Sequence, residues 1–92
     1  MSIEIELFAA PGCSRCASAR KSLERVVQGV GDDRVTWRTV EILDELDYAV
    51  ALGVVSAPSL AINGELVFTA LPSTKKLRFA LEERLAAERN LP

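Results

Sequence analysis

An α/β fold is expected, a four-stranded mixed sheet flanked by three helices in the order βαβαββα. Three features of the 92-residue chain lead there. Ile3 to Phe8 alternates apolar and acidic residues and passes through Pro11-Gly12 into a stretch with helical spacing. A second β-branched stretch, Val35 to Ile42, follows that helix. Asn63-Gly64 separates two short apolar runs, a strong short-range hairpin signal.

Ile3 to Phe8 reads as the first strand, and Pro11-Gly12 breaks it. From Ser14 to about Gln28 the apolar positions Ala17, Ala19, Leu23, Val26 and Val27 line one helical face, and Gly29 and Gly31 end it. Val35 to Ile42 reads as the second strand because β-branched and aromatic residues suit a pleated surface. Leu43 to Leu52 is the second helix, with Leu46 and Val50 one turn apart and Gly53 as its stop. Ser59 to Ile62 and Glu65 to Ala70 form the hairpin, since a type I′ turn needs positive φ at both central residues. Ser73 caps a last helix to about Glu88, with Leu77, Ala80, Leu81 and Leu85 inward. A right-handed crossover makes the first two strands parallel. Glu4 and Glu6 fit poorly on a central strand, so either one sheet face is thinly covered or that strand lies elsewhere.

Composition narrows the function. Hydrophobic residues at 49% and charged residues at 26% describe a folded globular chain, read as one domain over residues 1–92. Eleven Lys and Arg against thirteen Asp and Glu give a net charge of −2, which argues against nucleic-acid binding. The absence of His removes the commonest general base and metal ligand. Acids interrupt the N-terminal isoleucines, unlike a signal peptide, and no apolar run approaches the ~18 residues of a membrane span. A cytoplasmic protein with no membrane partner is expected.

The chemistry gathers at Cys13-Ser14-Arg15-Cys16, where the first strand gives way to the first helix. Unpaired N–H groups and the positive end of the helix dipole favour a thiolate over a thiol there. Cys13 is then the exposed nucleophile, and Cys16, one turn further in, resolves the mixed disulfide. Ser14 and Arg15 lie between them, and the cation of Arg15 tunes the thiolate. Two buried structural thiols are the plain alternative. A copper or zinc carrier is another, although zinc prefers four ligands and one chain offers two cysteines.

Phe8-Ala9-Ala10-Pro11-Gly12-Cys13-Ser14-Arg15-Cys16, followed by Val55-Ser56-Ala57-Pro58-Ser59-Leu60, resembles the thioredoxin superfamily. The Asn63-Gly64 hairpin and Ala70-Leu71-Pro72-Ser73 before the last helix extend the likeness over about residues 3–88, as a compact, glutaredoxin-sized member. The resemblance implies a thioredoxin-like fold and a thiol–disulfide oxidoreductase. It implies a cis Ala57-Pro58 peptide facing the cysteines, with the Ala57 backbone pairing to an extended substrate and Pro58 keeping metals off the dithiol. Pro11, Gly12, Ala57, Pro58 and Ala70 are the expected substrate-binding residues, with Val55 and Leu71 completing an apolar rim. No metal and no cofactor is expected. The partners implied are a protein disulfide and a reductase. A metal chaperone or a redox-regulated interaction module remain the alternatives.

Departures from the family are specific. Gly12 replaces the usual Trp, and Ser14-Arg15 replaces Gly-Pro. Leu7 stands six residues before Cys13, where thioredoxins carry a buried Asp that moves the proton of the second cysteine. That leaves the job to water or a substrate group. The Gly-Gly and acidic residue with which glutaredoxins hold glutathione are missing from Thr69 to Ser73. Trp37 reads as core or sheet edge, Tyr48 as surface, and Arg20-Lys21 as a solvated face that can also tune the local field.

Overall fold

The computed structural model of the chain describes residues 2–89, with side chains to residue 87. The elements are β1 (Ile3–Ala9), α1 (Ser14–Val30), β2 (Val35–Glu41), α2 (Leu46–Leu52), β3 (Ser59–Ile62), β4 (Glu65–Phe68) and α3 (Thr74–Arg89). They form the expected four-stranded mixed sheet, in the order β2-β1-β3-β4. β1 runs parallel to β2 and antiparallel to β3, and β3 pairs antiparallel with β4.

The sheet separates two cores. Ile3, Ile5 and Leu7 of β1 pack with Leu23 and Val26 of α1 and Leu77, Leu81 and Leu85 of α3. On the other face Phe8, Val40 and Ala61 pack under Ala49 and Val54, with Tyr48 and Leu52 at their margin. The alternation of β1 serves both faces at once. Trp37 lies half-buried on edge strand β2 against the larger core.

β1 is therefore central, and the acidic residues on it have a physical reason. The face carrying Glu4, Glu6 and Phe8 is covered by a single short helix, α2. Glu4 is exposed, near the hairpin turn, where its backbone N–H donates to Asn63 Oδ1 at 2.8 Å. Glu6 is only 7% exposed. Its carboxylate accepts from Arg38 Nη2 at 2.6 Å and Nε at 3.1 Å, and from the Tyr48 hydroxyl. A buried carboxylate needs such partners, and two elements of the fold supply them.

Tyr48 and the second helix differ from expectation. Leu46 and Val50 are 51% and 66% exposed, whereas Ala49 is buried and Tyr48 half-buried. Residues 42–45 form a turn, so α2 starts later than its apolar spacing indicates and rotates a different face inward. Its ring lies 5.9 Å from that of Phe8, centroid to centroid, and its hydroxyl reaches Glu6. That bond, burial and the nearby carboxylate charge hold the phenol protonated to higher pH than usual. The guanidinium of Arg38 is likewise held charged more firmly by Glu6.

Smaller differences concern boundaries. α1 continues through Gly29 to Val30 and ends on Gly31, in the left-handed region at φ +65°. Ala17 is exposed, and Cys16 occupies the inner face instead. β4 stops at Phe68, and a register irregularity lies between Leu60 and Ala61. Asn63 and Gly64 both take positive φ, as the tight turn requires. Ser73 Oγ accepts from the Lys76 N–H at 3.2 Å, capping α3.

Candidate active site

Cys13 is the N-cap of α1, extended at φ −86° and ψ 101°, and Cys16 lies in the first helical turn. The two are joined as a disulfide, with Cα atoms 5.3 Å apart. The Cys16 N–H points at Cys13 Sγ, 3.1 Å away. That N–H, one of the helix's orphan donors, is shared with the Cys13 carbonyl at 3.2 Å, and a donor so placed favours negative charge on the sulfur once the disulfide is reduced. Exposure is unequal. Cys13 is half-exposed, while Cys16 is 4% exposed. Pro11 and Gly12 form the turn that delivers the chain into the cap, with Gly12 at φ +73°, a conformation that suits glycine.

Two depressions flank this turn of helix. A groove of about 420 Å³ is lined by Arg15 and Ser18 of α1 and by Ala57, Pro58, Ala70 and Leu71 of the opposing loops. The Ala57-Pro58 peptide is cis. Its loop is stapled on both sides: Ser56 Oγ donates to the Thr69 carbonyl at 3.0 Å, and Ser59 Oγ donates to the Ser56 carbonyl at 2.7 Å. A second cleft, of about 320 Å³, is lined by Gly12, Cys13, Ser14, Cys16, Arg20 and Glu41 among others.

The expected site residues therefore fall into two groups. Arg15, Ala57, Pro58 and Ala70 share the groove, and Gly12, Cys13, Ser14 and Cys16 share the cleft. Pro11 is exposed in the turn and lines neither. Within the apolar rim Pro58 is buried, and Val55 is 90% exposed. Leu7 is buried in the larger core, where it brings no ionisable group.

The sequence assigns no role to Ser56, which ties its loop to Thr69 thirteen residues on, to Ser59, which closes the same loop locally on Ser56, or to Glu41. Strand arithmetic finds Glu41: β1 and β2 are parallel, and their register sets Glu41 beside Ala9, just ahead of the cysteine turn. Among the described residues no group of three or more His, Cys, Asp or Glu side chains is placed to hold a metal ion. Nor is any described helix long and apolar enough to cross a membrane.

Comparison with known proteins agrees with this geometry. A thioredoxin-domain family model matches residues 1–82. The chain is similar to the thioredoxin of Methanocaldococcus jannaschii, 29% identical over 83 residues that cover 90% of this chain and 96% of that protein. It is 27% identical to a probable thioredoxin of Methanothermobacter thermautotrophicus, over 92% of this chain and 99% of that one. Among solved structures, thioredoxin 1 of Thermosipho africanus superposes with a TM-score of 0.75 at 15% identity, covering 95% of this chain and 99% of that one. A mutant thioredoxin of Halobacterium salinarum gives 0.74 at 20% identity, over 89% of this chain and 74% of that one. With a cysteine pair at disulfide distance on the first turn of α1, the chain belongs to the thioredoxin family and is a thiol–disulfide oxidoreductase.

Proposed function

We propose that Cys13 is the attacking thiolate and Cys16 the resolving thiol of a cytoplasmic, single-domain reductant of protein disulfides. Thioredoxins act on disulfide-bearing proteins, and that is the kind of partner the chain is suited to. The observation that carries the division of labour is the contrast between the two sulfurs. Cys13 is reachable and faces an N–H donor, while Cys16 is 4% exposed. A substrate sulfur meets Cys13 first, and Cys16 meets only what Cys13 has already captured.

In the forward direction the Cys13 thiolate attacks one substrate sulfur and expels the other as a thiolate. Cys16 then attacks Cys13 Sγ, releases the second substrate thiolate and closes the Cys13–Cys16 disulfide. Two electrons pass from the dithiol to the substrate. A separate reductase or small thiol restores the dithiol. The groove holds the substrate chain, where Ala57 offers backbone hydrogen bonds and Pro58 and Ala70 apolar contacts, while Pro11 and Gly12 meet it from the turn ahead of Cys13, outside the groove. Ser14 and Arg15 set the field at the thiolate, and no metal or cofactor takes part.

Cysteine replacement tests this. Cys13→Ser is expected to abolish turnover of a protein disulfide. Cys16→Ser is expected to stop after one step and to accumulate a mixed disulfide on Cys13, visible by non-reducing electrophoresis and mass. Normal turnover by Cys16→Ser refutes the ordering.

A further inference from the structure

We propose that Glu41 is the proton acceptor for Cys16, taking the place of the carboxylate that Leu7 cannot provide. The proposal rests on Cys16 being the resolving thiol. A buried thiol must lose its proton before it can attack, because the thiolate is the nucleophile. Leu7, directly in the larger core, offers no acceptor. Neighbouring Glu6 points to the opposite sheet face and is occupied by Arg38 and Tyr48. Glu41 is differently placed.

β1 and β2 pair in parallel with Leu7 beside Thr39 and Ala9 beside Glu41. Ladder partners share a face, and every second residue returns to it. Glu41 therefore lies on the face of Leu7, the one α1 covers, at the end where the cysteines sit. It is half-buried and lines the 320 Å³ cleft together with Cys13 and Cys16. The charged and titratable groups facing that cleft are Cys13, Cys16 and Arg20 from α1 and Glu41 from β2. Among the described residues the Glu41 carboxylate makes no hydrogen bond or ion pair, so its lone pairs are open to water in the cleft.

The step balances. Once Cys13 has formed the mixed disulfide, the Cys16 proton passes through cleft water to the Glu41 carboxylate. The Cys16 thiolate attacks Cys13 Sγ, the bond from Cys13 to the substrate sulfur breaks, and the departing thiolate takes the proton back from Glu41. The carboxylate is regenerated, and the cysteine pair is left oxidised.

Two physical roles for Glu41 predict opposite signs. A fixed negative charge beside a thiol disfavours the thiolate, so removing it speeds resolution. A proton acceptor assists, so removing it slows resolution. The test is stopped-flow reaction of the reduced protein with Ellman's disulfide reagent. Attack by Cys13 releases one coloured thiolate, and resolution by Cys16 releases the second.

Glu41→Gln is expected to slow the second release relative to the first by at least about tenfold, less than the roughly 10²–10⁴-fold of a positioned base because cleft water still takes the proton in its absence. Its second phase should also become strongly dependent on pH and on added buffer base. Glu41→Asp, which keeps a carboxylate, should recover part of the rate, and Glu6→Gln should leave the ratio of the two phases unchanged. An unchanged or faster second phase in Glu41→Gln overturns the proposal. If Cys16→Ser still gives both releases, the ordering of the cysteines has failed, a result separable from any effect at Glu41.

Discussion

Tyr48→Phe isolates what the buried polar cluster contributes to the fold. The substitution removes one hydroxyl and leaves the ring against Phe8. In the native chain Glu6 Oε2 accepts both Arg38 bonds, and Oε1 accepts the tyrosine hydroxyl. The variant strands Oε1 on a side chain that is only 9% exposed. A hydrogen bond to a charged group contributes about 1.5–3 kcal/mol, and a stranded buried acceptor costs a similar amount. Arg38 is more than half exposed and stays in place, so it still neutralises the carboxylate. A loss near 2 kcal/mol is expected at neutral pH, or roughly 8–16 °C in Tm for a chain of this size.

The pH dependence has a definite sign. Folding holds the Tyr48 phenol protonated above its ordinary value, through the Glu6 hydrogen bond first and burial second. Its contribution is therefore full below about pH 10, the unfolded value, and is lost as pH rises through the higher folded value. Urea unfolding followed by circular dichroism, at several pH values for both proteins, reads this directly. The gap between them should hold steady from about pH 6 to 9 and narrow above about pH 10. A loss under about 0.5 kcal/mol at neutral pH, or a gap that does not narrow, would refute the reasoning.

Two further substitutions test the scaffold. Gly64→Ala meets no atom within 4 Å but must hold φ near +78°, so it should lose about 1–2 kcal/mol from the backbone alone, measured by thermal unfolding. Leu23→Ala opens a cavity at a fully buried position between α1 and the sheet and should cost about 2–5 kcal/mol in urea titration, a large share of a total of about 5–15.

The redox motif was readable because all its parts are local. Cys13 and Cys16 are one turn apart, Pro11-Gly12 breaks the strand before them, and a helical spacing begins at Ser14. The hairpin was equally plain, since Asn63 and Gly64 take the positive φ their residue types tolerate. The helices with long, periodic apolar faces, α1 and α3, lie within a few residues of the spans their spacing predicts. The short helix α2 turns inward a different face from the one its apolar spacing indicates. Seven residues carry too little periodicity to outweigh two exposed large side chains, Leu46 and Val50.

Local chemistry along the chain thus dictates the order of elements, the turns and the place of the dithiol, because backbone preferences and apolar spacing act over a few residues. Contacts between distant segments follow another logic. Glu6 meets Arg38 and Tyr48 across separations of 32 and 42 residues, and Ser56 meets Thr69 across a loop. Glu41 reaches the cysteine cleft only because two strands pair in parallel with one register out of several possible. A one-residue slip would turn Glu41 to the opposite face. Packing of the whole core selects that register, and with it which carboxylate lines the cleft of the buried sulfur.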